Sequence, residues 1–107
     1  MVDSSIIESV KKYLQALSQN GVPVQFAVVF GSRAAGKNDE YSDIDLVVVS
    51  PLFDQSRTRH HVNILWRTAA RTDSRIEPIP CGASQWDSDD SSTIIEVARR
   101  SGITVSA

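Results

Sequence analysis

Val24-Gln25-Phe26-Ala27-Val28-Val29-Phe30-Gly31-Ser32, then after a polar stretch Ser42-Asp43-Ile44-Asp45-Leu46-Val47-Val48-Val49, is the part of the sequence that decides the fold. Each half is a nearly continuous apolar run rich in β-branched residues, the composition of a strand buried on both faces. The short link between the runs favours an antiparallel pair. The second run carries carboxylates at i and i+2. Alternate residues of a strand share a face, so Asp43 and Asp45 would project side by side, roughly 6–7 Å apart at Cα, while Ile44 and Leu46 turn into the core. Two carboxylates about 4 Å apart repel by about 4 kcal/mol at an effective dielectric of ~20, an arrangement that stability alone would rarely select. A divalent cation reverses the sign of that interaction. The Gly31-Ser32 turn offers backbone N–H groups and a hydroxyl to phosphate oxygens. Together they point to metal-assisted phosphoryl or nucleotidyl transfer.

Outward from this pair, the rest of the chain reads as helices around a sheet. Ser5-Ile6-Ile7-Glu8 has the form of a capping box, and Ile6, Val10, Tyr13, Leu14 and Leu17 follow at helical spacing. A first helix is therefore expected from Ile6 to about Gln19, stopped by Asn20-Gly21. Arg57 to Arg71 carries Val62, Leu65, Trp66 and Ala69 on one stripe, which predicts an amphipathic helix with Trp66 in the core. Arg75 to Pro80 alternates apolar and polar residues, a third strand whose prolines favour an edge position. Ala83 to Trp86 has room for a short helical turn. Thr93-Ile94-Ile95-Glu96 is a second capping box, opening a terminal helix to about Arg100 that Ser101-Gly102 ends. The expected fold is α/β: a small mixed sheet of three or more strands, the first two antiparallel, flanked by helices.

The 107 residues suit one domain, 1–107, with a single core. Its 41% apolar and 22% charged residues are those of an ordinary globular protein. A net charge of −2 predicts no strong non-specific attraction to nucleic acid or an acidic membrane, so nucleic acid enters only as a reaction acceptor. No apolar stretch approaches the ~20 residues of a spanning helix, and Met1-Val2-Asp3-Ser4-Ser5 lacks a basic n-region, which makes the cytoplasm the expected compartment. Cys81 has no cysteine partner and no nearby His, and is expected to be a packed thiol. His60 and His61 read as surface residues. Trp86, in a polar stretch, either covers a sheet edge or marks a partner-binding spot. Arg57, Arg59, Arg67 and Arg71 place positive charge along one helix, the pattern of a solvated face.

A metal-dependent transferase needs cation ligands, a triphosphate cradle and a proton acceptor. Asp43 and Asp45 supply the first, and a third carboxylate on an adjacent strand would complete a two-cation site. Glu77, between Ile76 and Ile79, is the candidate. Asp73, in the preceding turn, is the weaker alternative.

Gly31-Ser32-Arg33-Ala34-Ala35-Gly36 followed by Ser42-Asp43-Ile44-Asp45-Leu46 resembles the signature of the DNA polymerase beta-like nucleotidyltransferase superfamily, and in its size the chain is similar to the minimal branch that includes antitoxins of HEPN-domain toxins. The resemblance covers the central strands and, through Glu77, the remainder more loosely. It implies a nucleotidyltransferase-like fold and Mg²⁺-dependent transfer of a nucleoside monophosphate, usually AMP from ATP or another NTP, onto a hydroxyl of a protein or RNA acceptor. Gly31 and Ser32 would then hold the β- and γ-phosphates, and Asp43 and Asp45 would bind the metal ions, two being expected. Glu77 would bind one ion and help deprotonate the acceptor. The family frequently has Arg where this chain has Ala35, which leaves the triphosphate contact to Arg33 or Lys37. Larger relatives add a second domain for the acceptor; here that surface is expected from a HEPN-like helical toxin or a homo-oligomer. The alternative is a non-catalytic antitoxin or regulatory subunit that keeps the fold.

Overall fold

The two apolar runs form a hairpin. β1 (Phe26–Phe30) and β2 (Ile44–Val49) pair antiparallel, with Phe26 opposite Val49 and Phe30 opposite Asp45. In the computed structural model, which describes residues 4–31, 43–55, 58–88 and 92–107, this hairpin is the centre of a four-stranded sheet. β3 (Ile76–Cys81) joins β2 in parallel, placing Asp45 opposite Glu77, and β4 (Ile103–Ser106) joins β1 antiparallel. The strand order is β3-β2-β1-β4. β3 therefore lies at an edge, where Pro78 and Pro80 do not interrupt a ladder on its outer side.

The period-2 alternation of the strands divides the core in two. Ala27, Val29, Ile44, Leu46, Val48 and Ile76 face one side, where they meet α1 (Ser4–Gln19) through Ile6, Val10, Tyr13, Leu14 and Leu17, and α3 (Arg59–Thr72) through Leu65 and Ala69. The hydroxyl of Tyr13 donates to the carbonyl of Leu65 at 2.9 Å, joining the two helices, and burial pushes that phenol well above its usual range. Val28, Phe30, Val47, Val49 and Cys81 face the other side, against α5 (Thr93–Ser101) and Trp86 of α4 (Ala83–Ser88). A short α2 (Leu52–Gln55) follows β2, and its Asp54 carboxylate accepts from the backbone N–H groups of Ser84 and Gln85 at 3.0 and 3.3 Å. Those bonds hold Asp54 below the usual carboxylate range, that from Ser84 contributing most.

Several expectations shift. α1 is already helical at Ser4, so Ser5 lies inside it rather than at its N-cap. α5 starts at Thr93 with Ser92 as N-cap, its hydroxyl accepting from Ile95 N at 3.4 Å; the cap stands one residue before the expected Thr93. Trp66 is not core. It is 48% exposed, because the buried side of α3 is centred on Leu65, Thr68 and Ala69. α2 and β4 have no counterpart in the expected element order: α2 is one turn, and only Val105 of β4 is buried. Cys81 is fully buried, as expected. His60 is exposed, while His61 is half-buried against the ring of Phe53. Trp86 packs edge-on against Phe26 with its backbone carbonyl accepting from Arg99, so it covers the sheet. Arg57 lies outside the described residues.

Candidate functional site

Strand alternation brings the carboxylates to one sheet face, the face shared with Phe30 and Val47. Asp43 is exposed and immediately precedes β2; Asp45 is half-buried within it. Glu77, half-buried, is the register partner of Asp45 on β3, and neighbouring strands stand roughly 4.8 Å apart. Ile44 and Ile76, the preceding pair, point into the opposite core and are fully buried, which fixes the direction of the acids.

The three acids are electrostatically joined. Burial raises the Glu77 carboxyl above its ordinary range, and the charges of Asp43 and Asp45, with hydrogen bonding to them favouring the protonated form, raise it further. Asp45 is also raised, first by burial and then by the charge of Asp43, with the hydrogen bond from Glu77 opposing the shift. Among the described residues the two ion pairs join Asp73 to Arg75 and Glu96 to Arg100, and neither includes these three acids. No three His, Cys, Asp or Glu side chains among the described residues stand in an arrangement that already encloses a cation. The acids share one sheet face and feel one another's charge. A set of hard carboxylate oxygens that no basic side chain among the described residues pairs with fits a divalent cation such as Mg²⁺.

Gly31 ends β1 beside this cluster with φ +75°. A Cβ at that position would stand 2.6 Å from Asp45 Oδ2, closer than real Cβ contacts come. The glycine thus makes room for the carboxylate, a role the sequence did not reveal. Its signal was the register that sets Phe30 opposite Asp45, and register is a property of pairing rather than of either strand alone.

Ser32, Arg33, Ala35 and Lys37, read as the triphosphate side of the site, lie outside the described residues. Asp73 is engaged by Arg75, whose backbone N and Nε both donate to Oδ1 at 3.0 Å and whose Nη2 donates to Oδ2 at 2.7 Å. Of the two candidates for a third carboxylate, Glu77 is the register partner of Asp45, while Asp73 is engaged by Arg75.

A family model described as a nucleotidyltransferase domain matches residues 7–79, from α1 through most of β3. No curated protein matches the sequence. Among solved structures, a Sulfolobus solfataricus protein assigned as a nucleotidyltransferase is similar, with a TM-score of 0.63 and 16% identity over 92% of this chain and 77% of the other. A toxin–antitoxin structure with AMP-PNP is similar over 92% of this chain and 70% of the matched chain, with a TM-score of 0.60 and 20% identity.

Proposed function

The chain belongs to the nucleotidyltransferase domain family, and on that premise we propose that it transfers AMP from ATP, with Mg²⁺, to a hydroxyl of a protein or RNA acceptor. The observation that carries this reading is Asp45 opposite Glu77 on adjacent strands, with Asp43 two residues before Asp45 on the same sheet face. Asp43, Asp45 and Glu77 would hold one or two Mg²⁺ ions, which supply charge neutralisation along the triphosphate and at the leaving oxygen. Gly31 and Ser32, with Arg33 and Lys37, would bind the β- and γ-phosphates. Glu77 would take the acceptor's proton at its carboxylate, its raised pKa suiting a base. The acceptor oxygen would bond to the α-phosphorus as the α–β anhydride bond breaks, and pyrophosphate would leave.

The likeness to a toxin–antitoxin structure supports a protein partner, and a HEPN-type helical toxin is the partner this reading takes. Ala35, where the family frequently has Arg, favours a second reading: a non-catalytic antitoxin subunit that keeps the fold. Label transfer from α-³²P-ATP with Mg²⁺ to a co-purified partner separates the two. The first reading expects transfer by the wild type and a loss of at least a hundredfold in Asp43→Asn/Asp45→Asn, the order seen when a main electrostatic group is removed. No transfer by the wild type, or undiminished transfer by the variant, would sink the enzyme.

A further inference from the structure

The sheet segregates charge. α1 and α3, side by side on one face, carry Lys11, Lys12, Arg59, Arg67 and Arg71 against a single acid, Glu8. All five cations are exposed. On the other face, among the described residues, Asp43, Asp45, Glu77, Asp87 and Glu96 outweigh Arg99 and Arg100. The net charge of −2 conceals this polarity. The helix pair also presents the indole of Trp66, 48% exposed. Arg59, Asn63, Trp66 and Ala70 follow at i, i+4, i+7 and i+11, an outward stripe of α3, with Arg67 and Arg71 on the next. Neither ion pair among the described residues involves the arginines of this surface.

We infer that the outer surface of α1 and α3 binds single-stranded nucleic acid. Its cations are opposite in charge to a phosphate backbone, and the exposed indole offers a π-face on which one base stacks, worth about 1–3 kcal/mol. A lipid surface would need a continuous apolar stripe, and on these helices Trp66 is the one large apolar side chain that stands exposed among the described residues. The carboxylates occupy the opposite sheet face, so a strand held here leaves the site open. Binding stands on this surface alone; only its use to present an acceptor hydroxyl rests on the transferase reading.

Titration with a 20-nucleotide oligo(U), followed by tryptophan fluorescence in 50 mM salt, tests it. Saturable quenching is expected, with a slope of log K against log salt near −2, as three phosphate contacts at about −0.7 each would give for a single strand. Arg67→Gln/Arg71→Gln should weaken binding at least tenfold and flatten the slope by about 1.4, at an unchanged melting temperature. Trp66→Leu should remove the quenching, leaving Trp86 emission unaffected by oligo(U). Absent saturable binding, an unaffected double variant, or equal binding of poly-L-glutamate at the same salt, the last marking an acidic-protein surface, each overturns the inference. Mn²⁺ binding, measured by electron paramagnetic resonance on the same protein, keeps the readings apart. Its absence alongside intact oligo(U) binding counts against the metal site and leaves this surface standing.

Discussion

Gly31 shows how much one missing side chain controls. Its φ of +75° and the 2.6 Å separation between a built Cβ and Asp45 Oδ2 are independent constraints. Gly31→Ala violates both, adding backbone strain of about 1–2 kcal/mol and displacing the Asp45 carboxylate. Gly31→Asn keeps the second violation but relieves part of the first, since Asn tolerates left-handed backbone. The expected outcome is a lowered melting temperature for Ala, partly recovered by Asn, with both variants at least tenfold below wild type in label transfer. Full activity in Gly31→Asn would show that the backbone conformation matters and the space beside Asp45 does not. At this scale the placement of the acids is legible: the i, i+2 spacing puts Asp43 and Asp45 toward one sheet face, and the register sets Glu77 opposite Asp45 on the next strand. The glycine's steric role was not legible, because it depends on a neighbour fourteen positions away whose register is set by the whole hairpin.

At the scale of elements, the strong periodicities located what they should and the ends went astray. α1, β1, β2, α3 and β3 each fall within a few residues of expectation, since a continuous buried stripe or run outweighs local ambiguity. Caps are decided by one dihedral and one hydrogen bond, and Ser92-Thr93 offers two adjacent hydroxyls for the same task. Ser92 is extended, at φ −85° and ψ 118°, and Thr93 is already helical. Ser92→Ala should therefore cost about 1 kcal/mol in urea denaturation and Thr93→Ala only a few tenths; the reverse order would place the cap at Thr93. β4 escaped notice for another reason: four residues with one buried side chain have no pattern of their own. They become a strand because β1 has an unpaired edge beside them.

For the whole molecule, the turn between α3 and β3 is a point where three elements are tied. Asp73 accepts from Arg75 at both carboxylate oxygens, and Ser9 of α1 also hydrogen-bonds it. The Arg75 hydrogen bond, foremost, lowers the carboxyl from 3.8 to about 2. A depressed folded-state pKa gives stability that is complete above the unfolded value and is lost as pH falls toward the folded one. With the arginine 32% exposed, solvent screening leaves about 1–2 kcal/mol. Urea denaturation should accordingly show Asp73→Asn less stable by that amount at pH 7, with about half of the difference gone by pH 3. A difference independent of pH would assign the effect to packing instead.

Two buried strands, the helices flanking them and three acids poised on the sheet were determined by the sequence itself, because hydrophobic period and local residue chemistry act over a few neighbours. The side of the sheet on which each helix lies, the contact between Gly31 and Asp45, the addition of β4 and the exposure of Trp66 were decided by tertiary structure. The charges followed suit. The sequence places arginines along one helix, but only the sheet sets the cations of α1 and α3 on the side opposite the carboxylates. Burial chooses which face of a helix is hidden and register chooses which side chains meet, and both are settled by contacts between residues far apart in the chain.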